Sequence, residues 1–268
     1  MEKALGLYED VKSDMKFFVS SDVRSKILIS LMQKPKNLPI LRQEIDFSSS
    51  TILHAMYQLE NKKFVFKESG NYSLTQMGEL AALKLVNLMK SFSSMNKLQN
   101  ILLNHEIEAI PHQLLQGIEC LEKGQILESK PNNLMQPYQT ISDKVLNSKN
   151  VKIISSVFYP FCVDVLKNSC RSDGILQMLM TQDVGNIILS DFRAEISIID
   201  RPNIHLWKID NELKLCLVLA DDFMAMGLFL DNGVYDSNRF LISNSEESIK
   251  WANELFKYYL DKAIQFKL

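Results

Sequence analysis

The sequence predicts an α+β protein whose second half is α/β, and three observations carry that reading. Within residues 22–74, three short stretches of helical period precede two short extended runs joined by a glycine turn. Residues 77–105 hold no proline and repeat apolar side chains in alternating steps of four and three. From residue 134 onward, helical and extended patterns alternate, which is how a mixed sheet with helices on its faces is built.

Ser21 and Asp22 offer an N-cap, after which Val23, Ile27, Leu28 and Leu31 recur at helical spacing. Pro35 ends that helix. Residues 38–45 form a second, with Leu38, Leu41 and Ile45 on one face. Ser48 or Ser49 caps a third, running to about Asn61, whose buried stripe is Ile52, Ala55, Met56 and Leu59. Residues 64–67 and 72–74, around Gly70 and Asn71, read as a hairpin. Three helices and a hairpin in this order make a winged helix-turn-helix, whose third helix enters the DNA major groove. The outward face of that helix carries Ser49, Ser50, Thr51, His54, Tyr57 and Gln58. Hydroxyls at its start, with Ser48, suit phosphate, while His54 and Gln58 can reach base edges. Lys36, Arg42, Lys62, Lys63 and Lys67 are the expected phosphate contacts. A module used only for protein contacts is the alternative, since no Arg or Lys lies between Ser48 and Glu60.

In the proline-free stretch, Ala81, Leu85, Leu88, Phe92, Met95, Gln99 and Leu102 form an a/d seam. Such a helix can join two copies and set two recognition helices on one face, as two-fold operators require. Beyond it, residues 112–122 and 134–148 read as helical, 151–158 as extended, 161–170 as helical, 175–181 as extended and 183–192 as helical. Residues 204–209 read as a strand, and 213–220 with 223–230 as a hairpin around Asp221 and Asp222. Asn244 is expected to cap a helix reaching about residue 264, with Glu247 at its third position. The expected domains are thus 1–76, a connecting helix at 77–110, and an α/β domain at 111–268.

Composition fits a globular protein: 268 residues, 46% hydrophobic, 23% charged. The longest apolar runs, such as 223–230, fall far short of the ~20 residues that span a bilayer. Residues 1–10 lack a secretory apolar region, so the expectation is a cytoplasmic protein without a membrane partner. Cys120, Cys162, Cys170 and Cys216 form no C-x-x-C pair and read as reduced core thiols. Residues 1–95 hold 13 Lys+Arg against 10 Asp+Glu, while the remainder is acidic, which hints at a polyanion partner for the N-terminal part.

Known chemical motifs are absent. There is no G-x-G-x-x-G, P-loop, G-x-S-x-G or H-E-x-x-H, and no metal-ligand spacing. No metal, cofactor or catalytic residue is therefore expected. His205, Lys208 and Asp210 cluster in sequence, but strand alternation turns His205 away from Lys208.

The stretches Asp22-Val23-Arg24-Ser25-Lys26-Ile27-Leu28, Phe47-Ser48-Ser49-Ser50-Thr51-Ile52-Leu53-His54-Ala55 and Tyr72-Ser73-Leu74-Thr75-Gln76-Met77-Gly78 resemble archaeal winged-helix transcriptional regulators. Val157-Phe158-Tyr159-Pro160, Leu213-Lys214-Leu215, Asp221-Asp222-Phe223, Gly227-Leu228-Phe229 and Tyr235-Asp236-Ser237 are similar to methanogen regulators with a FilR-type C-terminal domain. The resemblance covers nearly the whole chain. It departs where Tyr57-Gln58 replaces a stretch in which the family commonly has Lys, and at Tyr159, where relatives often have His. It implies a homodimeric, DNA-binding regulator whose C-terminal domain senses a small molecule or a partner.

The region 214–227 is also similar to the phospholipase D half-site H-x-K-x-x-x-x-D followed by glycine, ending here at Asp221 and Gly227. Lys214 stands at the nucleophile position and Cys216 at the lysine position, so phosphodiester chemistry lacks its machinery. A degenerate phospholipase D-like domain, as TrmB-type sugar regulators resemble, would keep a pocket at the strand ends for sensing. Val157, Tyr159, Thr181, Asp221, Tyr235, Asp236 and Arg239 are the candidate ligand contacts. A surviving phosphodiesterase is the rival reading.

Overall fold

The computed structural model describes residues 2–159, 161–169, 174–191 and 202–265. The expected helix ends at Cys170 and Phe192, the Cys170 thiol and Pro160 lie outside them. Contacts divide the chain into two compact units, Met1–Met89 and Lys90–Leu268. Among the described residues, no helix is long and apolar enough to cross a membrane.

The first unit opens with α1 (Glu2–Val19), which the sequence reading missed. Residues 3–10 of it are exposed throughout, and only its end packs, through Phe17 and Phe18 against Phe64. The expected helices follow as α2 (Asp22–Leu31), α3 (Leu38–Ile45) and α4 (Ser49–Asn61). Each is started by a side chain that accepts from a free backbone amide: Ser21 from Arg24, Asn37 from Ile40, Ser48 from Thr51. Ile27, Leu28, Leu41, Ile52, Met56 and Leu59 meet in one core. The wing is β1 (Val65–Glu68) antiparallel to β2 (Asn71–Leu74). Its two turn residues, Ser69 (φ 48°) and Gly70 (φ 83°), are both left-handed, the geometry that tight hairpins require. The following α5 (Gln76–Lys97) starts hard against the wing: a Cβ on Gly78 would stand 1.9 Å from the Phe64 carbonyl oxygen. Only glycine fits there.

The long connecting helix is not continuous. α5 ends at Lys97, Leu98 leaves helical geometry (φ −92°, ψ 6°), and α6 (Gln99–Asn104) follows. Leu98 and Ile101 are buried in the second unit's core, so its packing breaks the a/d repeat. The seam divides accordingly: Leu88, Phe92, Met95 and Gln99 are exposed, whereas Leu102 packs on its own chain.

The second unit continues with α7 (His112–Leu115), a 3-10 turn (Ile118–Leu121), β3 (Gln125–Glu128) and α8 (Gln136–Leu146). Then come β4 (Asn150–Ser155), α9 (Phe161–Ser169), β5 (Ile175–Thr181), α10 (Gln182–Asp191) and β6 (Ile204–Ile209). The chain ends in β7 (Leu215–Ala220), β8 (Phe223–Leu228), β9 (Arg239–Ser243), α11 (Glu246–Leu260) and β10 (Ile264–Gln265). One eight-stranded sheet runs β10-β6-β5-β4-β7-β8-β9-β3, with β4, β5 and β6 parallel and every other pairing antiparallel. Both faces are covered. Leu215, Leu217 and Leu219 of β7 pack with Trp251, Leu255 and Phe256 of α11, while Val218 and Ala220 pack with Ile141, Val165 and Val184 of the helices opposite. The cap of α11 is Ser245 rather than Asn244: its hydroxyl accepts from the Ser248 amide at 3.2 Å. That helix stops at Leu260, because residues 264–265 join the sheet edge beside β6.

Candidate functional site

At the start of α4, the Ser48 hydroxyl sits 2.9 Å from that of Ser50 and 2.7 Å from that of Thr51, all three residues exposed. Ser49 is half-buried. One turn on, His54 Nε2 lies 3.0 Å from Gln58 Nε2, and the Arg24 guanidinium donates to Gln58 Oε1 at 2.7 Å. Arg24 itself is fixed: its Nε donates to the Phe17 carbonyl at 2.8 Å and its guanidinium lies over the Phe17 ring at 4.3 Å. The helix that carries no cation of its own thus borrows one from α2, oriented by α1. Sequence reasoning missed this residue as a contact, since nothing local links positions 24 and 58. Tyr57 projects from the same helix at 63% exposure.

The expected phosphate contacts separate. Arg42 and Lys63 are exposed, and Lys67 lies 5.0 Å over the wing's Tyr72 ring. Lys62 pairs with Asp14 of α1 at 2.8 Å, both about half exposed. Lys36 is a correction. It is 1% exposed, and its ammonium donates to Glu44 at 2.5 Å and Ser30 at 3.1 Å. A residue between two turns looked solvent-facing, but its backbone pairs with Tyr72 and carries the side chain inward. The same contact holds the Glu44 carboxyl below its usual range.

In the second unit, Tyr138, Ser155, Tyr159, Cys216, Ala225, Gly227, Tyr235 and Phe240 line a largely apolar cavity of about 20 Å³ at the C-terminal end of β4. The Tyr159 and Tyr235 rings meet edge to face at 5.8 Å, and Phe229 and Phe240 extend the cluster from Tyr235. Gly227 makes room for Tyr235, since a Cβ there would lie 2.1 Å from its hydroxyl. Burial pushes both phenols up, raises the Cys216 thiol, and puts Cys162 at about 12. Among the described residues, the lining is therefore uncharged at neutral pH and offers no thiolate.

The other ligand candidates do not line it. Asp221 is at the opposite end of β4, accepting from the Lys149 amide at 2.8 Å and the Asn150 amide at 3.1 Å, which lower its pKa. Thr181 accepts from the Val184 amide in the first turn of α10. The Val157 carbonyl accepts from Ser155. Asp236 accepts from His105 Nε2 at 3.0 Å, and Arg239 reaches Glu128 at 3.3 Å and Asp236 at 3.8 Å. At the degenerate half-site, both carboxylate oxygens of Glu106 hold the Lys214 ammonium, at 2.7 and 2.6 Å, and Cys216 is buried. Among the described residues, no group of three or more His, Cys, Asp or Glu could hold a metal ion.

Comparison with known proteins places these two units. Residues 12–93 match the family description "Methanogenesis regulatory protein FilR1, N-terminal domain", and residues 134–262 match the same protein's middle domain. The FilR1 of Methanothrix harundinacea (strain 6Ac), a "Methanogenesis regulatory protein", is 25% identical over 259 residues, covering 95% of this chain. The chain spans 58% of that relative's length. Two solved structures show looser likeness. TrmBL2, described as an archaeal chromatin protein with a novel mode of DNA binding, has a TM-score of 0.42 at 10% identity, covering 90% of this chain and 93% of its own. Nuc, a phospholipase D family member from Salmonella typhimurium, has a TM-score of 0.39 at 11% identity, covering 54% of this chain and 98% of its own. With the N-terminal and middle domains matched in order, the chain belongs to the FilR1 family of archaeal regulators.

Proposed function

We propose that this chain is a sequence-specific, DNA-binding transcriptional regulator, acting in the cytoplasm as a homodimer whose C-terminal unit senses a small molecule or a partner. The observation that carries it is the face of α4. Hydroxyls surround its capped start, His54 and Gln58 stand one turn on, and Arg24 is held against them. An ordered cation beside hydrogen-bonding side chains on a major-groove helix can anchor phosphate and present polar groups to base edges. The family supports regulation in general.

Two copies are proposed because exposed apolar side chains persist along α5, with Leu80, Leu83, Leu88, Met89, Phe92 and Met95 all uncovered. A phosphodiesterase reading finds no support in the half-site: Lys214 is tied to Glu106 and Cys216 is a buried, protonated thiol.

Fluorescence anisotropy on the duplex upstream of the chain's own gene, across a salt series, tests the function. The expected result is an affinity at least ~10³-fold above random duplex that falls steeply with salt. Absence of duplex binding at low salt would replace this reading with that of a protein-binding adaptor.

A further inference from the structure

The loop between β8 and β9 joins the cavity to the segment that follows α6. Tyr235 faces the cavity. The next residue, Asp236, turns to the segment that follows α6, where His105 Nε2 donates to its carboxylate at 3.0 Å with both side chains buried. Around that pair the backbone is laced: Glu106 donates to the Phe229 carbonyl at 2.8 Å, Asp231 donates to Asn104 at 3.2 Å, and His105 bridges Leu230. Phe229 bridges Tyr235 in turn. The end of the connecting segment is thus strapped to the loop that supplies one cavity wall.

The cavity walls define what can enter. None of the described lining residues is charged, so a charged occupant would lose its hydration for nothing. Tyr138, Tyr159, Tyr235 and Phe240 supply ring surface, and the hydroxyls of Ser155, Tyr159 and Tyr235 with the Cys216 thiol supply hydrogen-bonding groups. The space is about 20 Å³, room for about one water molecule. Anything larger has to turn a tyrosine aside. Tyr235 is the wall in an exposed loop, with Val234 and Ser237 on either side of the Tyr235-Asp236 pair solvent-facing.

We infer that this cavity is the effector site, that it takes a small uncharged molecule, mostly apolar with one hydrogen-bonding group, and that entry displaces Tyr235 and loosens the Asp236–His105 clasp. The inference rests on the sensing role proposed above and names its site, its ligand class and its route to the connecting helix. A ligand that fits only with Tyr235 displaced binds the loosened form better than the closed one, and that difference is what an allosteric effect requires.

Thermal melting of the full chain with phenol or indole, and with benzoate as a charged compound of similar size, tests the site. Phenol or indole near ten times its Kd should raise Tm by about 3–6 °C, and benzoate should not. Ala225→Leu, which fills the cavity from β8, should abolish the rise. Should that variant fail to fold, Tyr159→Phe keeps the ring of the wall that stays in place and should weaken phenol about tenfold through the lost hydroxyl. Hydrogen exchange at residues 104–106 should quicken with phenol in the wild type and be fast already in His105→Gln. A rise with benzoate, an undiminished rise in Ala225→Leu or Tyr159→Phe, no rise with phenol or indole, or unchanged exchange would each overturn the inference. A chain that takes phenol but binds no duplex would remove the regulator reading and leave the site standing; one that reads its duplex but ignores phenol and indole would do the reverse.

Discussion

The α4 face and the β4–β8 cavity are built in opposite ways. The first is assembled within 60 residues, on a helix whose cap, stripe and polar face are all local, and only Arg24 and Phe17 come from outside it. The second gathers Tyr138, Ser155, Cys216, Gly227 and Tyr235 from separate helices, strands and loops. One site is a surface that keeps its side chains wet; the other is a gap in a core. Substitutions should therefore act on them through different physics.

Two glycines show the contrast at its largest. Gly78 abuts backbone, with the Phe64 carbonyl 1.9 Å from where a Cβ would go, and backbone cannot yield. Gly78→Ala should cost about 3 kcal/mol or more and melt the first unit early, while the second keeps its transition by calorimetry. Gly227 abuts the tip of Tyr235, which can rotate. Gly227→Ala should cost about 1–3 kcal/mol in thermal unfolding and, by displacing that ring, quicken exchange at residues 104–106 without any ligand. Equal costs at the two positions would mean that the cavity wall is as rigid as the wing.

That contrast also governs what the sequence disclosed. α2, α3, α4 and the wing were legible because caps, turn residues and period all sit within a few positions of one another. α1 was not, since half of it packs on nothing and leaves no stripe to read. The seam of α5 was legible as a pattern, but the break at Leu98 was not, because a buried leucine satisfies the a/d repeat and the core packing alike. Lys36 was misplaced for the complementary reason, as a charge in a turn looks solvated until its backbone pairing is known. Tyr159 and Tyr235 were named as ligand candidates through family resemblance, whereas the cavity they line depends on strand order, which no local pattern encodes.

Smaller effects sharpen the same comparison. Arg24→Met should weaken duplex binding about tenfold and lower the salt slope by about 1, at a cost of about 1 kcal/mol in folding from the lost Phe17 contacts, as read by anisotropy and by melting of the same samples. Asp221→Asn should cost about 1 kcal/mol in urea unfolding, since the carboxylate accepts from two backbone amides. Its folded pKa is depressed, so its contribution is present above the usual carboxylate value near 4 and fades as pH falls through the lower folded value. The variant should lack that part of the acid dependence and bind duplex as the wild type does. Loss of duplex affinity in Asp221→Asn would contradict the separation of the two regions.

The most direct test sets Arg24→Met beside Lys36→Met in one salt titration on the same duplex. Both variants remove a single cation from the basic third of the chain, so a purely electrostatic attraction would treat them alike. With Arg24 held against Gln58 on the α4 face and Lys36 buried against Glu44, only Arg24→Met should lose affinity and salt slope, while Lys36→Met changes stability alone. Equal losses, or a loss confined to Lys36→Met, would contradict the assignment of the α4 face as the DNA-binding surface.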